Sequence, residues 1–200
     1  MSKCGVHIVS MSFGFERPDH AVNTAIANAI AERQERIIFM AAASNSGGNS
    51  DVMWPAQHEF VFDIRATDHM GSLPRLNAPS GLGVDNVYGT LGENVEGAWP
   101  RSENGYKIDS GTSYATPIAA GIASLVLDAA KLSLDDEENY LKSNRFGNLL
   151  TKRGMHLVFK DDLMSQQMPT NIRYLRPHKF FWRNSEDRSY SLKHLVRKDD

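Results

Sequence analysis

Ile37-Ile38-Phe39-Met40-Ala41-Ala42-Ala43 is an unbroken apolar run, too short to span a bilayer and too uniform for a half-exposed strand, so it must be covered on both faces. A second run stands ahead of it. From Val6 to Phe13 the residues Val6, Ile8, Val9, Met11 and Phe13 are relieved mainly by small serines, which also reads as a buried strand. Between the runs, Pro18-Asp19 gives a turn and an N-cap, and Val22, Ile26 and Ile30 recur at helical spacing. The charged run Glu32-Arg33-Gln34-Glu35-Arg36 closes that segment. Strand, amphipathic helix and strand within about 38 residues form a βαβ unit, whose right-handed crossover implies a parallel sheet and an α/β fold.

The rest of the chain fits this frame. Ser44 to Asp51 is a Ser/Asn/Gly loop at the C-terminal end of the second strand, where open α/β sheets place ligands. Phe60 to Ile64 is a further strand, and Val84 to Val87 is read as another. The Gly/Pro/Asn-rich stretches 69–83 and 89–105 are expected to be loops or short edge structure. Ser110-Gly111-Thr112-Ser113 leads into a helix over Tyr114 to Lys131, with Pro117 in its first turn. Ala119, Ala120, Gly121 and Ala123 make this helix thin, as a helix packed closely on a sheet requires. Another helix is expected within Phe146 to Leu163, and aromatics gather in Ile172 to Phe181. Residues 1–182 are expected to form one domain, and the charged segment 183–200 a flexible tail.

Composition narrows the partners. With 22 Lys+Arg against 24 Asp+Glu, no charge field favours nucleic acid. The apolar stretches Ile37 to Ala43 and Ile118 to Leu127 are shorter than a membrane span, so no membrane partner is expected. The single cysteine, Cys4, makes no internal disulfide and no thiolate cluster, which fits an intracellular, cytoplasmic setting. The seven histidines show no metal-ligand spacing, and no phosphate-binding loop occurs, so neither a metal nor a cofactor is expected.

Two residues carry possible chemistry. Ser113 lies between small neighbours at a helix start, where backbone N–H groups and the helix dipole favour developing negative charge; a simple helix cap would use the same residue type. Asn45 follows a buried strand in a glycine-rich loop, and its amide can donate to a substrate oxyanion or merely shape a turn.

Taken together, these segments resemble the subtilisin-like serine peptidases. Gly111-Thr112-Ser113-Tyr114-Ala115-Thr116-Pro117 with Ala120-Gly121 is similar to the family's nucleophile signature. Val9-Ser10-Met11-Ser12-Phe13-Gly14 resembles the strand that lines its substrate cleft, and Ala41 to Gly47 resembles the segment carrying its oxyanion-hole Asn, with Ser44 where glycine is usual. Trp54-Pro55-Ala56 and Phe60 to Ala66 look like the following loop and strand. Asn77-Ala78-Pro79 is similar to an Ala-Pro-Gly turn, with Ser80 replacing its glycine. The likeness runs in order over about residues 5 to 130; Gly154 to Phe159 and Tyr174 to Pro177 look like C-terminal elements of fungal members.

The resemblance implies a three-layer, mostly parallel α/β fold, here lacking its N-terminal part, and peptide-bond hydrolysis through an acyl-enzyme. It implies Ser113 as nucleophile and Asn45 as oxyanion donor, and a polypeptide substrate in a cleft lined by Ser12, Phe13, Gly14, Ala43, Trp54, Pro55 and Ala56. It also implies an Asp and a His, which precede the first strand in the family order. None of His7, His58 or His69 stands in such a context, and Asp109 reads as a turn residue. The chain alone is therefore expected to be nearly inactive, because loss of the triad costs a factor of about 10⁶. A missing N-terminal segment of the same larger protein is the implied partner. The rival reading is a non-catalytic peptidase-like domain that keeps its cleft as a peptide-binding or interaction surface.

Overall fold

A computed structural model describes residues 5–49, 51–78, 87–100, 105–133, 145–162, 164–168 and 172–181. The βαβ unit is present: β1 (Ile8–Met11), α1 (His20–Glu32) and β2 (Ile38–Ala42), with Ile8 beside Ile38 and Met11 beside Ala41 in parallel register. Asp19 caps α1 by accepting from the Val22 N–H at 2.9 Å. At the other end Gln34 and Glu35 take left-handed conformations, with Gln34 N–H donating to Ala31 and Glu35 N–H to Ile30. This is a Schellman stop, which turns the chain sharply into β2.

Next come β3 (Val61–Thr67), β4 (Val87–Leu91), a hairpin of β5 (Val95–Ala98) and β6 (Tyr106–Asp109), and α2 (Thr112–Ser133). They are followed by α3 (Lys152–Lys160), β7 (Ser165–Gln167), β8 (Arg173–Leu175) and α4 (His178–Phe181). The main sheet runs β1-β2-β3-β4-β8-β7, parallel except for the β7–β8 pair. Strand alternation divides its side chains between two cores. Phe39, Ala41 and Val61 meet Ile26 and Ala29 of α1, while Met40, Phe62 and Ile64 share the other core with Ala119, Ala123 and Val126 of α2 and Phe159 of α3. The result is three layers, α/β/α.

Several expectations need correction. β1 is not buried: Ser10 is exposed and Ile8 and Val9 only half-buried, because β1 has a strand neighbour on one side only among the described residues. Of the strand expected at Val84 to Val87, Val87 lies in β4, and residues 79–86, which include Pro79 and Ser80 of the expected turn, lie outside the described residues. Cys4 and the tail at 183–200 also lie outside them. The stretch 89–105, read as loops or short edge structure, holds β5, and its partner β6 is a strand of only four residues, Tyr106 to Asp109. Helix α2 starts two residues earlier than expected, so Pro117 sits beyond the first turn. Residues Thr112–Lys131 reach bilayer-span length with a mean hydropathy of 1.2, yet Ala115, Ala119, Ala123 and Ala130 are fully covered, as in a core helix.

Candidate active site

The site forms where β1, β2 and α2 meet at the C-terminal ends of the strands. Asn45 follows β2 and reaches across to α2, where its Oδ1 accepts from Thr112 N–H at 2.8 Å and Thr112 Oγ1 at 3.0 Å. Asn45 therefore caps a helix far away in sequence. Those two bonds also fix the amide orientation, because Oδ1 is committed and Nδ2, the donor end, has no hydrogen-bond partner among the described residues. Gly111 is required beside it: a Cβ there would lie 2.9 Å from Asn45 Nδ2.

Ser113 occupies the first turn of α2, and its backbone N–H has no partner among the described residues, as expected for a helix start. Its carbonyl is unusual. The donor four residues on would be residue 117, a proline without an N–H, so the Ser113 carbonyl accepts instead from Ser12 Oγ at 2.9 Å. Ser113 Oγ in turn lies 3.5 Å from the Ser12 carbonyl. The serine is thus tied to the end of β1 by a reciprocal pair. Thr116 Oγ1 donates to the Thr112 carbonyl, and Gly111 N–H to Gly92, so the helix start is anchored from several sides.

Around this centre the structure brings Ser12, Phe13 and Gly14 to one rim and Trp54 close by. Phe15 and Trp54 exchange backbone bonds at 2.7 and 2.9 Å, and Met53 N–H donates to Ala43. Gly14 passes so close to Met53 that a Cβ would sit 2.6 Å from Met53 Cβ. Phe13 and Phe15 are exposed and meet edge to face. Ala43, Pro55 and Ala56 are buried, so they support this rim from beneath. Asn77 and Ala78 clip a loop onto β3: Asn77 bridges the Ala66 N–H and carbonyl, and Arg65 donates to the Ala78 carbonyl.

No histidine or carboxylate among the described residues bonds to Ser113. His7 and His69 are exposed, and His58 Nδ1 accepts from Phe60 N–H within its own turn, burial holding its pKa below the usual value. Asp109 is committed to Lys107 and to Ser110 N–H, which lower its pKa in that order. No group of three potential metal ligands occurs among the described residues.

Comparison with known proteins agrees with the fold and with the family resemblance. The subtilase family (peptidase S8) matches residues 1–145, and the chain belongs to that family. It is 28% identical over 166 residues to Subtilisin BL of Lederbergia lenta, covering 83% of this chain and 57% of the relative. It is 30% identical over 127 residues to the subtilisin-like protease het-Q2 of Podospora anserina, covering 61% of this chain and 34% of that protein. Among solved structures, the self-cleaved protease domain of PatA superposes with a TM-score of 0.65 at 22% identity, over 96% of this chain and 64% of the other. The prenylagaramide maturation protease PagA superposes with a TM-score of 0.61 at 22% identity, over 88% and 62%. The chain thus spans only part of the length of these relatives.

Proposed function

We propose that the chain carries the nucleophile and oxyanion half of a serine endopeptidase. Ser113 Oγ would attack a peptide carbonyl, and Asn45 Nδ2 with the Ser113 N–H would hold the oxyanion of the tetrahedral intermediate. The observation that carries this reading is the commitment of Asn45 Oδ1 to Thr112, which leaves the amide nitrogen as a donor next to the start of α2, where the Ser113 N–H also has no partner among the described residues. A polypeptide lying along Ser12 to Gly14 would place its carbonyl over Ser113, with Phe13 offering an apolar contact.

The base and its orienting carboxylate would come from a further segment pairing with the outer edge of β1. The support is that β1 has a single neighbour among the described residues and that the chain spans 57% of Subtilisin BL. Labelling by a fluorophosphonate probe tests the assignment. The 200-residue chain alone should label hardly at all, whereas the chain extended in frame by a segment bearing the Asp and His should label at Ser113 and hydrolyse peptides. In that extended enzyme Asn45→Ala should cut kcat by about 10²–10³. Strong labelling of the chain alone at Ser113, or failure of an extended, folded chain to label, would overturn the reading.

A further inference from the structure

At the opposite end of the strands from Ser113 lies a cavity of about 270 Å³ lined in part by the half-buried Lys152. Its apolar wall comes from three places: Ile30 on α1, Ile37 at the foot of β2 and Phe60 just ahead of β3. Lys152 Nζ donates to the Glu59 carbonyl and lies 5.6 Å from the centre of the Phe62 ring. These neighbours partly cover the amine without giving it an ion pair among the described residues. Glu35 on the turn after α1, Glu59, and Arg153 and His156 on α3 also line the cavity, while Asp63 on β3 is committed to Arg65. Burial is the largest influence and outweighs the attraction of Glu59 and Asp63, so the ammonium form is disfavoured and the pKa falls to about 8.

We propose that this cavity is a covalent capture site for small apolar aldehydes, with Lys152 Nζ as nucleophile and Ile30, Ile37 and Phe60 seating the hydrocarbon body. The amine lone pair attacks the carbonyl carbon to give a carbinolamine. The C=N bond then forms as the C–O bond breaks, and the oxygen leaves as water with the two amine hydrogens. Nothing is oxidised or reduced. A neutral amine is needed for the attack, and burial provides one at a pH where Lys107, its pKa raised first by its hydrogen bond to Asp109, remains an ammonium.

Benzaldehyde with cyanoborohydride, followed by mass mapping of benzylated peptides, tests this on the 200-residue chain. At pH 8 Lys152 should react about tenfold faster than Lys107, since a far larger fraction of it is neutral. Its rate should be half-maximal near pH 8, and unfolding in urea should erase the preference. Ile30→Glu puts a carboxylate on the cavity wall at a half-buried position and should slow Lys152 about tenfold at pH 8 while the circular dichroism spectrum is retained. Equal rates for Lys152 and Lys107 in the folded chain, or a Lys152 rate that rises only above pH 10, would overturn the proposal. The pH profile of the unsubstituted chain decides the matter even if the variant fails to fold.

Discussion

β1 and β3 run parallel in one sheet, separated only by β2, yet they live in different environments. All seven residues of β3 are buried, among them the ion pair of Asp63 and Arg65, whereas only Met11 of the four residues of β1 is buried. The candidate nucleophile is tied to the second kind of strand. Ser113 leans on Ser12 at the end of β1, so its position depends on the part of the sheet with the least packing behind it. Stability and the site's geometry are therefore separable, and substitutions on the two strands should reveal it.

The largest effect is expected in β3. Arg65 donates to both Asp63 carboxylate oxygens, at 2.8 and 2.7 Å, and Arg65→Ala would leave a buried carboxylate without its partner. Urea unfolding should show a loss of about 3–5 kcal/mol. A loss no larger than that of a β1 substitution would erase the contrast between the strands.

Lys152, whose amine faces the β3 residue Phe62, tests burial through pH. Its folded-state pKa is depressed to about 8 from the ordinary 10.5, so below 8 the folded chain must hold a poorly hydrated charge. Between about 8 and 10.5 the unfolded chain binds the proton that the folded chain has released, so stability rises with pH across that window. Lys152→Met removes the titration. It should unfold about 1–2 kcal/mol later than wild type at pH 7, after allowance for solvent screening at the cavity mouth, and the advantage should vanish toward pH 10.5. A constant difference across pH would show that burial does not act on this amine.

On β1 the expected effects are smaller. Ser12→Ala removes one hydrogen bond at an exposed position and should cost about 1 kcal/mol in urea unfolding. Smaller still is a coupling: Pro117→Ala restores an N–H that can bond the Ser113 carbonyl, after which losing Ser12 Oγ should matter less. A double-mutant cycle should return about 0.5–1 kcal/mol. Strict additivity would mean that the serine hydroxyl is not standing in for the missing helix donor.

Much of this was legible in the sequence. The apolar run at 37–43 and the helical spacing of Val22, Ile26 and Ile30 announced the βαβ unit, because burial on two faces leaves a continuous hydrophobic signal. The order of motifs around Asn45 and Ser113 announced the family. Less visible was β6, whose alternation covers only the four residues Tyr106 to Asp109, too short a run to stand out beside the loop before it. The sequence also made β1 look like an interior strand, since residues such as Val6 and Phe13 carry no mark of how many neighbours they have; Phe13 is 49% exposed. Lys152 gave no sign at all, because a lysine among Thr151, Arg153 and Gly154 reads as surface.

The sequence by itself determined the parallel α/β architecture and the residue types at the candidate site, since periodicity and small-residue spacing are local properties of the chain. Tertiary structure alone decided which end of the Asn45 amide is a donor, why Pro117 is tolerated inside α2, and where Lys152 loses its water. Each of these depends on atoms brought together across dozens of residues, such as Asn45 with Thr112, Ser12 with Ser113, and Glu59 with Lys152. Hydrogen-bond direction and desolvation are set by such neighbours in space, and a linear pattern does not encode them.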